Sequence, residues 1–308
     1  MLPSVSILLL TFQGEKYLKE TLPAIAAQNY NGRVEILAID SGSTDQSVNL
    51  LHCYGANVFV ISQSEFGHGK TRNLAVKKAS GEIVVFLSQD ACPVGTCWLQ
   101  KAVSVLENQD VGAAFARQLP RPNATPLERF FHDTMYGPKS RLVSPLRRGK
   151  TNRPFTREEI FFSNVCSMAR RDVCLRFPFN ESIVMSEDQF FARDLLCHGL
   201  GIAYAAQVKV LHSHSYDLKT LFQRNFDSGA SITHLTQSEP WRDLRKAAQF
   251  VGKEVRYLYK RKNWRTLLLL PFYEVTRFSA LFLGAQHKRL PRRWLRKLSQ
   301  HHHFWTEN

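Results

Sequence analysis

Four short runs of β-branched and leucine residues constrain this chain more than anything else in it: Val5 to Leu10, Val34 to Ile39, Val58 to Ile61 and Ile83 to Leu87. None alternates cleanly between apolar and polar, which is the pattern of strands buried on both faces of a parallel sheet. Between them, Glu15 to Gln28, Thr44 to Cys53 and Lys70 to Ala79 carry a helical period. Strand and helix alternate over the first ~120 residues, so the sequence predicts an α/β domain with a doubly wound, mostly parallel sheet flanked by helices. In such sheets ligands sit beyond the carboxyl ends of the strands.

The residues at those ends are Thr11-Phe12-Gln13, Asp40-Ser41-Gly42-Ser43-Thr44-Asp45, Glu65 to Arg72 and Ser88-Gln89-Asp90-Ala91. They bring an aromatic face, carboxylates and a Gly-rich turn opening a basic helix to one edge, a set suited to a nucleotide. Further on, Pro120 to Pro154 is polar and rich in Pro and Arg, predicting an irregular region over the site. Glu158 to Ala169 and Val208 to His212 read as strands, and Ser186 to His198 as a helix.

Charge divides the chain in two. Trp241 to Ser299 holds 16 Lys or Arg against Asp243, Glu254 and Glu274, which is +13 of the total +15. Thr266 to Ala285 is rich in Leu and Phe but interrupted by Pro271, Glu274 and Arg277, and charge at a membrane centre is expensive. The expectation is a domain over residues 1–238 and, over 239–308, a basic, partly amphipathic helical tail. That tail would rest on an anionic membrane surface without crossing it. A nucleic-acid partner is not expected, because the charge lies in a tail and is not interleaved with aromatics over a folded groove. Met1 to Ser6 places no Lys or Arg ahead of its apolar run, so no signal peptide is expected. The six cysteines lack zinc-site spacing and read as reduced structural thiols of a cytoplasmic chain.

Individual motifs admit plain readings beside functional ones. Gly69-Lys70-Thr71 opens a helix as a Walker loop does, which raises a nucleoside triphosphatase, but that motif needs Gly where Ser64 stands. Asp40 either ends a strand or accepts from the imide of a pyrimidine base. Asp90 either caps the segment after it or holds a divalent cation, since Mg2+ or Mn2+ bound to phosphates needs few protein ligands. Ser186 and Gln189 have the spacing of a capping box. A helix start there would hold Asp188 ionised at neutral pH, as a general base must be. His212 and His214 share a face after a strand and are candidates for metal or diphosphate contact.

In this order over Val5 to about Ser231, these stretches, with Glu65 to Asn73 and His212 to Tyr216, resemble family 2 glycosyltransferases of the GT-A fold. Several are similar to the bacterial rhamnosyltransferase branch. The resemblance implies an inverting transferase using a nucleotide-diphosphate sugar, with dTDP-rhamnose first and a UDP-hexose as the alternative. The acceptor it implies is a lipid-linked saccharide of a bacterial surface polysaccharide, at the inner face of the cell membrane. It also implies that Phe12, beside Thr11, packs on the base, that Asp40 binds the base, and that Lys70 and Arg72 approach ribose or diphosphate. Asp90 would hold the metal, with His212 and His214 beside it. Asp188 would be the base, with Glu187 the first substitute. Two positions depart from the family pattern: Ser88-Gln89-Asp90 stands for Asp-x-Asp, and Gln13 for Asn. A non-catalytic nucleotide-sugar binder remains the rival; it predicts binding without turnover.

Overall fold

The computed structural model describes residues 1–145, 155–232, 235 and 240–307. The chain begins β1 (Val5–Thr11), α1 (Glu15–Ala26), β2 (Val34–Asp40), α2 (Ser47–Cys53), β3 (Asn57–Val60), α3 (His68–Lys78) and β4 (Ile83–Ser88). It continues β5 (Cys92–Pro93), α4 (Trp98–Ser104), β6 (Val111–Leu119), α5 (Pro126–Met135), β7 (Arg141–Val143), β8 (Cys166–Arg170), α6 (Arg171–Arg176), α7 (Glu187–Cys197) and β9 (Gly201–Leu211). It ends α8 (Leu218–Ile232), α9 (Pro240–Lys260), α10 (Trp264–Ala285), α11 (Arg292–Leu298) and α12 (Phe304–Glu307). Two compact units divide it.

The first unit, Met1–Arg121, Tyr136–Glu181 and Glu187–His212, holds the sheet. Strand order is β3-β2-β1-β4-β8-β6-β9-β5, with β7 on β9. The half made of β3, β2, β1 and β4 is parallel throughout, as the buried apolar runs predict. The other half is mixed: β8 runs antiparallel to both β4 and β6, while β6 and β9 are parallel. That mixture was not legible, because β6 reads Val-Gly-Ala-Ala-Phe-Ala, poor in the β-branched residues that announce a strand. Ile7, Leu9, Val85, Leu87, Ala114, Met168 and Val208 form the core with Trp98. Each large side chain there contributes about 1.5–3 kcal/mol by leaving water. Helix α1 covers them with Leu18, Thr21, Leu22 and Ile25, one face of a 3.6-residue period.

Two local expectations change. Only Cys166–Arg170 of the run from Glu158 to Ala169 is a strand. Thr156 and Glu159 close a reciprocal capping box, Thr156 N donating to Glu159 Oε2 (2.8 Å) and Glu159 N to Thr156 Oγ1 (3.3 Å), which sends the chain into a turn first. Within the region read as irregular, Thr125 and Glu128 close the same box at the start of α5. Residues 146–154 of that region lie outside the described residues.

The second unit, Pro122–Met135, Ser182–Ser186 and Ser213–Asn308, contains no strand among its described residues. Helices α8 and α10 cross at close range, since a Cβ on Gly229 would collide with Leu281 O and one on Gly284 with Phe226 O. By length and composition, with 22 residues and mean hydropathy 1.4, α10 is long and apolar enough to cross a membrane. Its interrupting charges face inward. Glu274 is 6% exposed and bonded to Arg277, which also reaches Glu254 of α9 (3.5 Å). The opposite face bears Leu268, Phe272, Val275 and Phe282, each about two-thirds exposed or more.

Candidate active site

The site lies beyond the carboxyl ends of the parallel strands of the first unit. Asp40, the last residue of β2, is fully buried. Its Oδ1 accepts from the N–H groups of Gly42 (3.0 Å) and Ser43 (2.7 Å), and its Oδ2 from the hydroxyls of Thr11 (2.9 Å) and Ser43 (2.7 Å). Four donors occupy that carboxylate, so in this arrangement Asp40 and the buried Thr11 shape the loop and do not offer themselves to a base. Ser43 in turn accepts from Gln13 N (2.9 Å), which holds Gln13 at φ 47°. Phe12 beside it is 39% exposed, an open aromatic face where one was expected.

Gly69 lies inside α3, whose cap is Gly67. A Cβ there would strike Asn180 O, so this glycine serves a close backbone approach and not a Walker loop. Lys70 is exposed at the start of α3. Arg72, one turn in, donates from Nη1 to Glu187 Oε1 (2.7 Å) and to His68 O (3.1 Å). With side chains 11% and 6% exposed, this ion pair is committed to the acidic motif rather than presented to a diphosphate.

Asn164, buried and unmarked by any sequence signal, ties the two acids together. Its N–H donates to Asp188 Oδ2 (3.2 Å) and its Nδ2 to Glu187 Oε1 (3.3 Å). Ser186 stands at φ 67°, not in the extended conformation of a capping residue. Instead Asp188 Oδ1 accepts from Gln189 N (2.8 Å). The expectation that Asp188 is held ionised by the helix start is overturned. Burial first, then the charge of Glu187, push its carboxyl up to about 7, against the opposing pull of Arg72 and the N–H groups of Asn164 and Gln189. Desolvation of a carboxylate outweighs the amides here. A base poised near neutrality is well matched to proton abstraction at physiological pH.

Asp90 follows β4 and His212 follows β9, with Asp90 Oδ2 3.7 Å from His212 Nε2. Gln118 fixes the imidazole: its Nε2 donates to Tyr136 Oη (2.7 Å) and Ser163 Oγ (2.9 Å), leaving Oε1 to accept from His212 Nδ1 (2.9 Å). Nε2 is then an acceptor facing a carboxylate, a juxtaposition reconciled by a cation, either a proton or a metal ion. Asp90, His212 and His214 each offer a ligand atom, all within 4.8 Å of one another. The donor set fits a divalent ion, with Gln118 behind the histidine as metal-binding imidazoles require. Arg121 also meets this corner, donating from Nη2 to Asp90 O (2.9 Å) and pairing with Glu20 (2.6 Å). The cysteines are all free thiols, with Cys92, Cys166 and Cys174 buried and Cys53, Cys97 and Cys197 exposed.

A family model, Glycosyl transferase family 2, matches residues 6–176. The chain is 32% identical over 315 residues to the O-antigen chain rhamnosyltransferase WbaN of Salmonella anatum, covering 99% of this chain and 96% of that protein. It is 30% identical over 312 residues to the O-antigen chain rhamnosyltransferase RfbN of Salmonella typhimurium, covering 98% and 96%. In fold it is similar to the mannosyltransferase PcManGT from Pyrobaculum calidifontis, solved with GDP-Man and Mn2+. That match has a TM-score of 0.57 at 16% identity, over 100% of this chain and 87% of that one. The chain belongs to glycosyl transferase family 2: it is a glycosyltransferase of the GT-A type, related to O-antigen rhamnosyltransferases.

Proposed function

We propose that this enzyme transfers rhamnose from dTDP-rhamnose, with inversion, onto a lipid-linked saccharide during synthesis of a bacterial surface polysaccharide. The single observation that carries the reaction type is Asp188, a carboxyl raised toward neutrality by burial and by Glu187 and held by Asn164, just ahead of β8, the strand beside the β4 that precedes Asp90. Whole-length similarity to two proteins named rhamnosyltransferases supports rhamnose as the sugar; a UDP-hexose is the second reading. The base stacks on Phe12, and Lys70 meets ribose or diphosphate. Asp188 Oδ takes the proton of the acceptor hydroxyl as that oxygen attacks the anomeric carbon from the side opposite the diphosphate. One displacement inverts that carbon. Asp90, His212 and His214 are the residues to hold Mg2+ or Mn2+, which when bound neutralises charge on the leaving diphosphate. Two imidazoles beside one carboxylate favour Mn2+ over Mg2+, whose preference is for oxygen ligands. The enzyme works at the cytoplasmic membrane face, where the basic second unit meets anionic lipid and the lipid-linked acceptor is found.

Two variants separate the roles. Asp90→Asn weakens metal-dependent binding of dTDP, read by calorimetry, together with turnover. Asp188→Asn leaves dTDP binding intact and lowers turnover by roughly 10²-fold or more, because only the proton acceptor is lost. A loss below about tenfold for Asp188→Asn would move the base to Glu187 and break the assignment.

A further inference from the structure

We propose that Gln89, the middle residue of Ser88-Gln89-Asp90, is a positioning residue that fixes the Phe12 ring relative to Asp90 and thereby sets donor affinity. This rests on the reading of Phe12 and Asp90 as the two ends of the donor site. The ladder between β1 and β4 ends at the pair Leu10 and Ser88. Beyond it the strands no longer pair, and the Gln89 side chain continues the ladder. Its Oε1 accepts from Phe12 N (3.0 Å) and its Nε2 donates to Phe12 O (3.0 Å), so one amide satisfies both main-chain groups of the aromatic residue. Its own carbonyl accepts from Thr21 Oγ1 of α1 (3.0 Å), which anchors the clamp from behind. The amide also fills the space over Gly14, where a Cβ would strike Oε1.

The backbone under this clamp does not hold itself. Gln13, next in line, sits in the left-handed region at φ 47°, an arrangement that persists only when its surroundings determine it. Ser43 and Thr44 grip Gln13 from one side, through its N–H and its Nε2 (both 2.9 Å). Gln89 grips Phe12 from the other. Because Asp90 is the next residue along, the same short segment carries the candidate metal carboxylate and the support of the base platform. A neutral amide is required: it must accept from an N–H and donate to a carbonyl at once, which an ionised carboxylate cannot do.

That requirement supplies the test. Binding of dTDP and of UDP with Mn2+ is measured by calorimetry for the full-length chain and for Gln89→Glu, Gln89→Leu and Gly14→Ala. At pH about 8 the Glu variant binds about tenfold or more weaker than wild type, because an ionised carboxylate faces the Phe12 carbonyl. The Leu variant is likewise about tenfold or more weak. Mn2+ binding alone, followed by electron paramagnetic resonance, is unchanged in all three. Should Gln89→Glu not fold, Gly14→Ala carries the test, since it displaces the amide while leaving Gln89, Phe12 and Asp90 in place, and it too must weaken nucleotide binding. Equal affinity of the folded Gln89 variants and wild type, or loss of Mn2+ binding, overturns the clamp alone. Absence of dTDP and UDP binding in the wild type removes the donor reading and the clamp with it.

Discussion

The acidic residues of the site divide by what their surroundings do to them. Asp40 is spent on four donors and shapes a loop. Glu187 is ion-paired with Arg72. Asp188, raised to about 7, is the one that exchanges a proton near physiological pH. Turnover is therefore expected to rise with pH through about 7 and to flatten above it, as the base loses its proton; a profile flat between about pH 5 and 8 would exclude Asp188 as the base. The linkage has the opposite sign for stability. A carboxyl whose folded pKa lies above its unfolded value of about 3.9 favours the fold at low pH, and that contribution is lost as pH rises through about 7. Sequence pattern marked Asp90, Asp188, His212 and Phe12 as candidates, because strand ends and a helix start point to them, and the fold sets Asp90 beside His212. It did not find Asn164, Gln118 or Gln89, amides whose value lies in partners up to about a hundred residues away in the chain, a relation no spacing encodes. It also misjudged Asp188, since a helix N-terminus is visible in sequence and burial is not.

Among the elements, the parallel half of the sheet was legible because each strand is an uninterrupted apolar run, while β6 carries small residues and was not; β8 was read inside a longer run, Glu158 to Ala169, of which Cys166–Arg170 forms the strand. The capping boxes at Thr125 and Thr156 are short-range signals that were passed over within polar surroundings. The helices of the second unit hold a device of their own between α9 and α10. Glu254 and Glu274 are both buried, share a proton in a hydrogen bond between their carboxyls, and share the guanidinium of Arg277. Burial raises both carboxyls, Glu254 to about 8, in spite of Arg277. Both folded values lie above the unfolded ones, so the pair favours the fold at low pH and destabilises it as pH rises through about 8. Glu254→Gln is expected to unfold a few degrees above wild type at pH about 9 and to lose that advantage at pH about 6. An advantage that is the same at both values would mean the pair does not carry a shared proton.

At the scale of the molecule, a catalytic unit is joined to a more basic helical one whose α10 turns its charges inward and an apolar stripe outward. The sequence suggested that Glu274 and Arg277 interrupt the apolar segment; the fold instead buries them and leaves Leu268, Phe272, Val275 and Phe282 continuous on the exposed face. An exposed apolar face bordered by Lys and Arg suits an anionic lipid interface. Phe272→Ser with Val275→Ser is expected to reduce co-sedimentation with anionic phospholipid vesicles by about tenfold while preserving turnover on a soluble acceptor. Unchanged sedimentation would place the membrane contact elsewhere or nowhere. Purified enzyme with Mn2+ should be offered dTDP-rhamnose, UDP-glucose, UDP-N-acetylglucosamine and GDP-mannose in turn, and nucleoside diphosphate release measured beside Asp188→Asn. The account predicts release from dTDP-rhamnose at least about tenfold faster than from the others and lost in the variant; release from none of the four, or fastest release from GDP-mannose, would contradict it.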